Sequence, residues 1–305
     1  MRQARNNTGR AKKKERRKIA HIVCSKIKRI ISAVCRKLGM TRQWFYSSEQ
    51  ARVRKEINED LVVALVRQER KVNPRAGAKK VLIAIRSELK KAGINIGINR
   101  FGNVLKKYNL LIKKRKSYRC CTTRQDPSLI PSPNLVKDLT IDSPNQAVCS
   151  DITYIYTKEG FVYLSLMMDM YAKDIVGYDV RDDLTTEGHL AALKMASKKL
   201  GPKAKPIAHS DRGCQYASHM YRNLLDTLGW RSSMTEELHC YENGMAERLN
   251  GILKNEYFLD AIFKTKEEAR EAIKTAIWTY NYRRLHEKLN YRTPSEFRKS
   301  FEGAA

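Results

Sequence analysis

The chain has 305 residues, of which 42% are hydrophobic, and a formal net charge of +28 at pH 7. This length allows one large domain or two to three small ones. No apolar run approaches the roughly 18 residues that a membrane-spanning helix needs. No cysteine pair has the CxxC spacing of a zinc finger. From the sequence we therefore expect neither a membrane-spanning helix nor a zinc-finger domain.

The positive charge is confined to the N-terminal half of the chain. Residues 1–140 contain 37 Lys and Arg against 9 Asp and Glu, whereas residues 141–305 contain 23 of each. Such an excess favours binding to a polyanion, because every phosphate contacted by Lys or Arg releases counterions. DNA is the polyanion that we expect, and RNA binding or a solubilising role is the alternative at this point.

The first elements are a basic arm and a short helical unit. We expect the arm, residues 1–20, to be disordered when it is free. In the unit at residues 21–54, apolar spacing predicts a helix over 22–38 that ends at Gly39. A short second helix, Arg42–Tyr46, follows it. Helix, turn and helix in this order resemble a DNA-reading helix-turn-helix, although most such pairs are plain packing units.

Residues 55–116 hold a second helical set. Apolar runs over 61–66, 81–89 and 104–110 predict three helices, which would form a second helix-turn-helix-like DNA-binding domain. Prolines at positions 127, 131 and 133 then mark residues 117–141 as a linker. The linker separates the basic half from the neutral half.

Residues 142–301 form the next predicted domain, and their pattern changes to strands. Five strands alternate with helices, and the first three strands lack an intervening helix. The predicted strands are 149–157, 161–170, 175–180, 206–210 and 230–234, and the predicted helices are 185–200, 219–228, 244–258 and 265–289. This order predicts an α/β fold of the RNase H-like type, with a mixed five-stranded sheet.

Three acidic residues occupy the positions that such a fold would bring together. Asp151 lies inside the first predicted strand, Asp211 ends the fourth, and Glu247 lies on the helix that follows the fifth. Divalent magnesium prefers oxygen ligands, and two such ions about 3.5–4 Å apart can hold both oxygens of an in-line displacement at phosphorus. Asp151, Asp211 and Glu247 are therefore the predicted catalytic residues and metal ligands.

Other acidic residues near this set have alternative interpretations. Asp169, on the second predicted strand, is interpreted as a structural residue. Glu236, Glu237 and Glu242 compete with Glu247 for the third position, but they precede the helix and lack its face. In addition, 35 residues (212–246) separate Glu247 from the second acid, and the other three acids lack this spacing.

One face of the helix over 244–258 carries both charge signs. Glu247, Asn250, Gly251 and Lys254 are spaced at helical intervals, so they share that face. A metal ligand and a cation two turns apart suit DNA that lies along the helix. Asn250 and Lys254 are therefore predicted DNA contacts, and a routine surface pair is the alternative.

Several short motifs of the sequence resemble those of one protein family. They are Val148-Cys-Ser-Asp151-Ile-Thr-Tyr154, His209-Ser-Asp211-Arg-Gly213, Tyr280-Asn-Tyr-Arg-Arg-Leu-His286 and Lys91-Ala-Gly-Ile-Asn-Ile-Gly-Ile-Asn-Arg100. Together they resemble the transposases of IS3-type insertion sequences, a branch of the DDE transposases and retroviral-type integrases. The resemblance covers about residues 55–301. In the motif Tyr280–His286, Leu285 replaces the proline that is usual in the family.

The resemblance implies an enzyme that binds the terminal inverted repeats of an insertion sequence, cleaves DNA and transfers the strand. It implies two Mg²⁺ or Mn²⁺ ions as cofactors, and both transposon ends and target DNA as double-stranded partners. A homo-oligomer in a synaptic complex, an upstream helix-turn-helix accessory protein and a bacterial cytoplasmic, nucleoid-associated location are also implied. The implied phosphate contacts in the basic half are Lys79, Lys80, Arg100, Lys113, Lys114, Arg115 and Lys116.

Two other functions are open at the level of sequence. One is a DNA-binding regulator with an inactive RNase H-like domain, against which the three intact acids argue. The other is a metal-dependent nuclease without strand transfer. The acids alone do not distinguish this nuclease from a transposase, because both reactions need the same metal ligands.

Overall fold

The computed structural model describes residues 31–37, 39–112, 131–236 and 243–302. The predicted basic arm, the run Lys113–Lys116, most of the predicted linker, and the alternative ligands Glu237 and Glu242 lie outside these residues. None of the helices in the described ranges has the length and apolarity that crossing a membrane requires. By internal contacts the chain divides into Met1–Leu65 with Leu89–Asn95, and Val66–Glu88 with Ile96–Ala305.

In the first unit, two helices meet at a glycine turn. Helix α1 spans Ile31–Lys37, and helix α2 begins at Arg42 after Gly39, whose φ of 65° is in the left-handed region. The Thr41 hydroxyl accepts a hydrogen bond from the backbone N–H of Trp44 at 3.1 Å, which caps α2. The helix end predicted at Gly39 is therefore present.

The short second helix predicted at Arg42–Tyr46 is wrong, because α2 runs without a break over Arg42–Val72. It includes the run 61–66 that was predicted as a separate helix, and the predicted boundary between residues 54 and 55 falls inside it. The apolar periodicity lapses in the middle, but no Gly or Pro interrupts the helix there, and Arg52 forms ion pairs with Glu49 and Glu56. Helix propensity therefore outweighed the loss of periodicity.

Three further helices precede the sheet domain. They are α3 (Ala78–Ala84), α4 (Arg86–Lys91) and α5 (Ile98–Lys107). The single helix predicted over 81–89 is thus two helices, with Ile85 as the C-cap of α3. Helices α3 and α5 each bury two or three apolar side chains, in agreement with the apolar runs that predicted them.

The sheet domain confirms the predicted RNase H-like fold. Its strands are β1 (Ala147–Thr157), β2 (Gly160–Asp169), β3 (Ile175–Arg181), β4 (Ile207–Ser210) and β5 (Arg231–Met234), in the order β3-β2-β1-β4-β5. The first three strands are antiparallel neighbours, whereas β1, β4 and β5 run parallel. The mixed sheet thus places β1, which contains Asp151, beside β4, which Asp211 directly follows.

Helices cover both faces of this sheet. On one face pack α6 (Thr186–Leu200), the short α7 (Cys214–Ala217) and α8 (His219–Leu228), around a buried cluster that includes Trp230. On the other pack α9 (Gly244–Glu256) and α10 (Lys266–Tyr282), around a second cluster that includes Tyr280. Because β1 contributes side chains to both clusters, it is the central strand of the core.

The helix predicted over 265–289 is wrong in its last seven residues. Helix α10 ends at Tyr282, a 3-10 turn covers Glu287–Leu289, and a last helix, α11, spans Pro294–Glu302. The backbone N–H groups of Arg283 and Arg284 both donate to Thr279, and the Arg284 guanidinium bonds both Glu256 oxygens at 2.8 Å. This tertiary ion pair explains why the chain leaves the helix where local periodicity continues.

A buried ion pair joins α11 to the sheet. Asp169, which has no exposed surface, accepts hydrogen bonds from the backbone N–H groups of Asn145, Tyr171 and Ala172. Its carboxylate also lies 2.9 Å from the Arg298 guanidinium. Every lone pair that this carboxylate offers is thus directed at a structural donor, in agreement with its interpretation as a structural residue.

Candidate active site

Asp151 and Asp211 lie side by side on adjacent parallel strands. In the register of β1 and β4, Cys149 pairs with His209. Asp151 lies two residues after Cys149, and Asp211 lies two residues after His209. Both aspartates therefore follow the last residues at which β1 and β4 pair. The end of β4 therefore brings the two carboxylates to one edge of the sheet, as the sequence predicted.

Short hydrogen bonds fix both carboxylates. Asp151 Oδ1 accepts from the backbone N–H of Ile152 at 2.9 Å, and Oδ2 accepts from the Asn250 amide at 2.7 Å. Asp211 Oδ1 accepts from the backbone N–H of Gly213 at 3.0 Å. A Cβ at position 213 would lie 3.1 Å from that oxygen, so glycine allows the close approach. Both carboxylates are therefore oriented before any substrate binds.

The electrostatics of Asp151 differ from those of an ordinary carboxyl group. Its pKa is raised to about 7, mainly by burial, then by the neighbouring carboxylate of Asp211, with a smaller effect from Glu247. The hydrogen bonds from Ile152 and Asn250 oppose this shift. Like charges thus meet at a partly desolvated point, which is the environment that a cation would stabilise.

Glu247 approaches this edge from α9, whose first turn it occupies with an exposed side chain. Two asparagines of the same segment tie the helix to β1. Asn243, the N-cap, donates from its side chain to the backbone carbonyl of Ser150 at 3.2 Å, and Asn250 donates to Asp151 one residue further. The helix is therefore held across the sheet at the residues that precede and include the first acid.

Sequence reasoning missed the positioning role of Asn243. Its place directly before an apolar-periodic helix is an N-cap signal, and this signal could have identified it. Asn250 was predicted as a DNA contact, but it is buried and its amide donates to Asp151. Its predicted contact with DNA stays a prediction, and the structure gives it a positioning role.

A hard divalent cation fits the donor set, although the three acids do not form a closed cluster. In the described ranges, no group of three or more His, Cys, Asp or Glu residues has the geometry of a metal site. Asp151 and Asp211 supply carboxylate oxygens from neighbouring strands, which magnesium prefers. Glu247 is the exposed member of the set, and its assignment as the third ligand stays a prediction.

The remaining predicted DNA contacts occupy different surroundings. The Lys254 ammonium lies 4.8 Å from the centre of the Tyr154 ring on β1, so it faces the strand that carries Asp151. Lys79 contacts Glu287 at 3.1 Å, and Lys80 contacts Glu256 at 3.5 Å. Arg100 is exposed on α5. Lys254 thus shares its helix with Glu247 and lies against the strand that carries Asp151. Contact with DNA by any of these residues stays a prediction.

Known proteins share this domain. The integrase core domain family matches residues 142–240, and a second integrase core domain family matches residues 228–294. The HTLV-2 integrase catalytic core is similar in structure, with 22% identity over 51% of this chain and 97% of that chain, at a TM-score of 0.42.

Relatives from insertion sequences match most of the chain. A 31 kDa protein of insertion element IS600 from Shigella sonnei is 31% identical over 276 residues, which cover 89% of this chain and 100% of the relative. The transposase of IS904 from Lactococcus lactis is 32% identical over 71% of this chain and 86% of its own length. The transposase InsF of IS3A from Escherichia coli is 26% identical over 88% of this chain and 93% of its own length. With these matches and the integrase core around Asp151 and Asp211, the chain belongs to the IS3-type insertion-sequence transposases, which are enzymes of the transposase and integrase class.

Proposed function

We propose that this transposase binds the terminal inverted repeats of an insertion sequence and carries out metal-dependent cleavage and strand transfer. The observation that carries the proposal is the pair of oriented carboxylates, Asp151 and Asp211, on adjacent strands. The raised pKa of Asp151 supports it, because a fold gains nothing structural from forcing these charges together.

In the first step, water attacks a phosphodiester at the end of the element. The bond from phosphorus to the 3′ oxygen breaks, and the products are a free 3′-hydroxyl and a 5′-phosphate. In the second step, this 3′-hydroxyl loses its proton and attacks a target phosphodiester. A new phosphorus–oxygen bond forms, and the target 3′ oxygen leaves and takes up a proton. Neither step needs a covalent link between DNA and protein.

Asp151, Asp211 and Glu247 would hold two Mg²⁺ or Mn²⁺ ions. When bound, such ions lower the pKa of a coordinated nucleophile and neutralise charge on the leaving oxygen. Asn250 keeps the Asp151 carboxylate in one orientation, and Asn243 keeps the helix of Glu247 against β1. The residues of this chain thus contribute positioning, and positioning is most of what a phosphoryl-transfer enzyme supplies.

The basic half supports a role in DNA binding. Its 37 Lys and Arg against 9 Asp and Glu suit a surface that follows the phosphate backbone. Accordingly we propose double-stranded transposon ends and target DNA as partners. A synaptic homo-oligomer, an upstream helix-turn-helix accessory protein and a place on the nucleoid in the bacterial cytoplasm complete the proposal.

An end-joining assay tests this function. The full chain is incubated with Mg²⁺, a labelled duplex that ends in the inverted repeat of its own element, and a supercoiled target plasmid. We expect labelled plasmid, and no product when a chelator replaces Mg²⁺. A duplex with scrambled ends is the control, and equal joining of both duplexes would contradict recognition of the repeats. Cleavage without labelled plasmid would instead identify a nuclease.

Replacing Lys254 by alanine is expected to lower the joining rate by about 10- to 100-fold, because a displaced DNA phosphate misaligns the reacting groups. Replacement by arginine keeps the charge and the contact with the Tyr154 ring, so it is expected to restore most of the rate. The matched control is Lys274→Ala on α10, whose ammonium is exposed and 4.0 Å from Glu271. The measurement is the initial rate of joining at saturating Mg²⁺. Equal losses for alanine and arginine would contradict an electrostatic role.

A further inference from the structure

A cavity of about 310 Å³ lies on the side of α9 that faces away from the candidate active site. Met245, Arg248, Leu249 and Ile252 line it at helical spacing. Glu247, Asn250 and Lys254 point to the opposite side of the same helix, because their positions are rotated by about half a turn. The cavity is therefore separate from the three acids.

Six basic residues contribute to the lining of this cavity, beside apolar ones. They come from α3, from the turn between β2 and β3, from α9, and from the segment after α10. They are Lys80, Lys173, Arg248, Arg284, His286 and Lys288. Among the described residues, Glu287 is the one acidic residue that lines it, and its carboxylate is already bound by Lys79 at 3.1 Å and by the Tyr291 hydroxyl at 2.8 Å.

One nearby carboxylate accounts for part of this charge. Glu256 contacts Arg284 at 2.8 Å and Lys80 at 3.5 Å, so these two cations share a single counter-charge. A structural role for that ion pair explains their presence. It does not explain Arg248 and Lys288, for which the described ranges provide no carboxylate within ion-pairing distance. The Lys173 ammonium, by contrast, donates to the Met170 carbonyl and contacts the Met245 sulfur at 3.2 Å.

The positive charges around the cavity affect the imidazole of His286. Its pKa is lowered to about 3, mainly by burial and then by the charges of Arg284, Lys80, Lys173 and Arg248. Its Nε2 atom is buried, and no described residue forms a hydrogen bond with it. The ring is thus neutral at pH 7 and lies among cations, with a polar atom that has no protein partner.

We propose that this cavity is a phosphate-binding site, which is occupied during the reaction by a backbone phosphate of DNA other than the one that is cleaved. The arginine and lysine side chains match phosphate in charge and in hydrogen-bonding geometry. The helix α9, about 10 Å across with its side chains, separates the cavity from the acids, so the scissile phosphate cannot occupy both places.

The position of the cations favours DNA over a free anion. Arg248 and Lys288 are exposed at the mouth of the cavity, whereas Lys80 and Arg284 lie further inside. Cations that extend from the interior to the surface suit a phosphate that belongs to a long polyanion. The choice of DNA rests on the proposed function, whereas the phosphate site itself rests on the lining residues.

The first arm of the test measures phosphate alone. The full chain with ¹⁵N-labelled histidine is titrated with inorganic phosphate, and the imidazole signal of His286 is followed by NMR. We expect phosphate to shift this signal and to raise the pKa of His286, since an added anion offsets the surrounding cations. The double variant Arg248→Ala/Lys288→Ala is expected to bind phosphate at least about tenfold more weakly. An unchanged His286 signal at millimolar phosphate would overturn the phosphate site.

The second arm measures DNA. The slope of log affinity against log salt is negative, and in the double variant it is expected to become less steep by about 1, because about one phosphate contact is lost. Arg283→Ala is the matched control, because Arg283 is exposed beside Arg284 and does not line the cavity. The two alanines of the double variant replace the exposed side chains of Arg248 and Lys288, so we expect the variant to fold. Circular dichroism checks this. A salt slope equal to that of the control would overturn DNA as the source of the phosphate.

The two proposals fail in distinguishable ways. If the chain joins no ends but the double variant still loses phosphate affinity and salt slope, the cavity proposal stands and the proposed function falls. If the chain joins ends and the double variant matches the control in both arms, the cavity proposal falls alone.

Discussion

Replacing Asp151 or Asp211 by asparagine, or Glu247 by glutamine, is expected to abolish end joining while DNA binding stays within a few fold of the wild type. Each change removes one carboxylate charge and almost no volume. We expect a loss of at least about 10³-fold in the joining rate, which corresponds to about 4 kcal/mol of transition-state stabilisation. DNA binding is spared because the positive charge that drives it lies in residues 1–140.

The measurement compares initial joining rates at saturating Mg²⁺ with duplex affinities in a chelator. Glu271→Gln is the matched control, since Glu271 is an exposed carboxylate on α10 that lies 4.0 Å from Lys274 and belongs to no candidate ligand set. Near-normal joining by Glu247→Gln would remove that residue from the ligand set. Glu236, Glu237 and Glu242 would then be the next candidates for the third position.

In a metal-free buffer at pH 8, Asp151→Asn is expected to stabilise the protein, whereas Asp169→Asn is expected to destabilise it. The folded-state pKa of Asp151, about 7, is raised from the ordinary aspartate value of 3.8. A carboxyl group with a raised pKa lowers the free energy of unfolding as pH rises from the unfolded to the folded value, and the cost is complete above it. Removing the charge should therefore add about 2–4 kcal/mol at pH 8 and much less at pH 5.

Asp169 provides the opposite case. Its carboxylate is fully buried, accepts three backbone N–H groups and pairs with Arg298, which also binds Asp174 at 2.8 Å. The asparagine variant removes the charge and replaces one acceptor oxygen by an amide donor, so buried N–H groups lose their acceptor. We expect a loss of about 1–3 kcal/mol. Thermal unfolding in a chelator at pH 5 and pH 8 measures both variants. A Tm of Asp151→Asn below the wild type at pH 8 would contradict the electrostatic picture of the site.

The sequence was sufficient for the sheet and for its first two acids. Alternating and continuous apolar runs mark β1 to β5, because a strand shows its burial locally along the chain. Asp151 and Asp211 each follow such a run, and the parallel pairing of β1 with β4 then fixes their proximity. The charge asymmetry between the two halves also needs no structure.

Local patterns failed where distant residues decide the backbone. The region after Tyr282 continues a helical pattern, yet the ion pair of Arg284 with Glu256 ends the helix. In α2, periodicity lapses without a helix breaker, so the pattern predicted two helices where one forms. Both errors arise because periodicity reports which face is buried, and it does not report where a helix must stop.

Only the tertiary structure revealed how Asn243 and Asn250 hold α9 against β1, since neither hydrogen bond connects residues near each other in sequence. The same holds for the cationic cavity, whose lining residues extend from Lys80 to Lys288. A sequence shows how many charges a chain carries and which periodic face each one shares. Which of them meet, and whether a carboxylate or a bound phosphate balances them, depends on packing between elements that lie far apart along the chain.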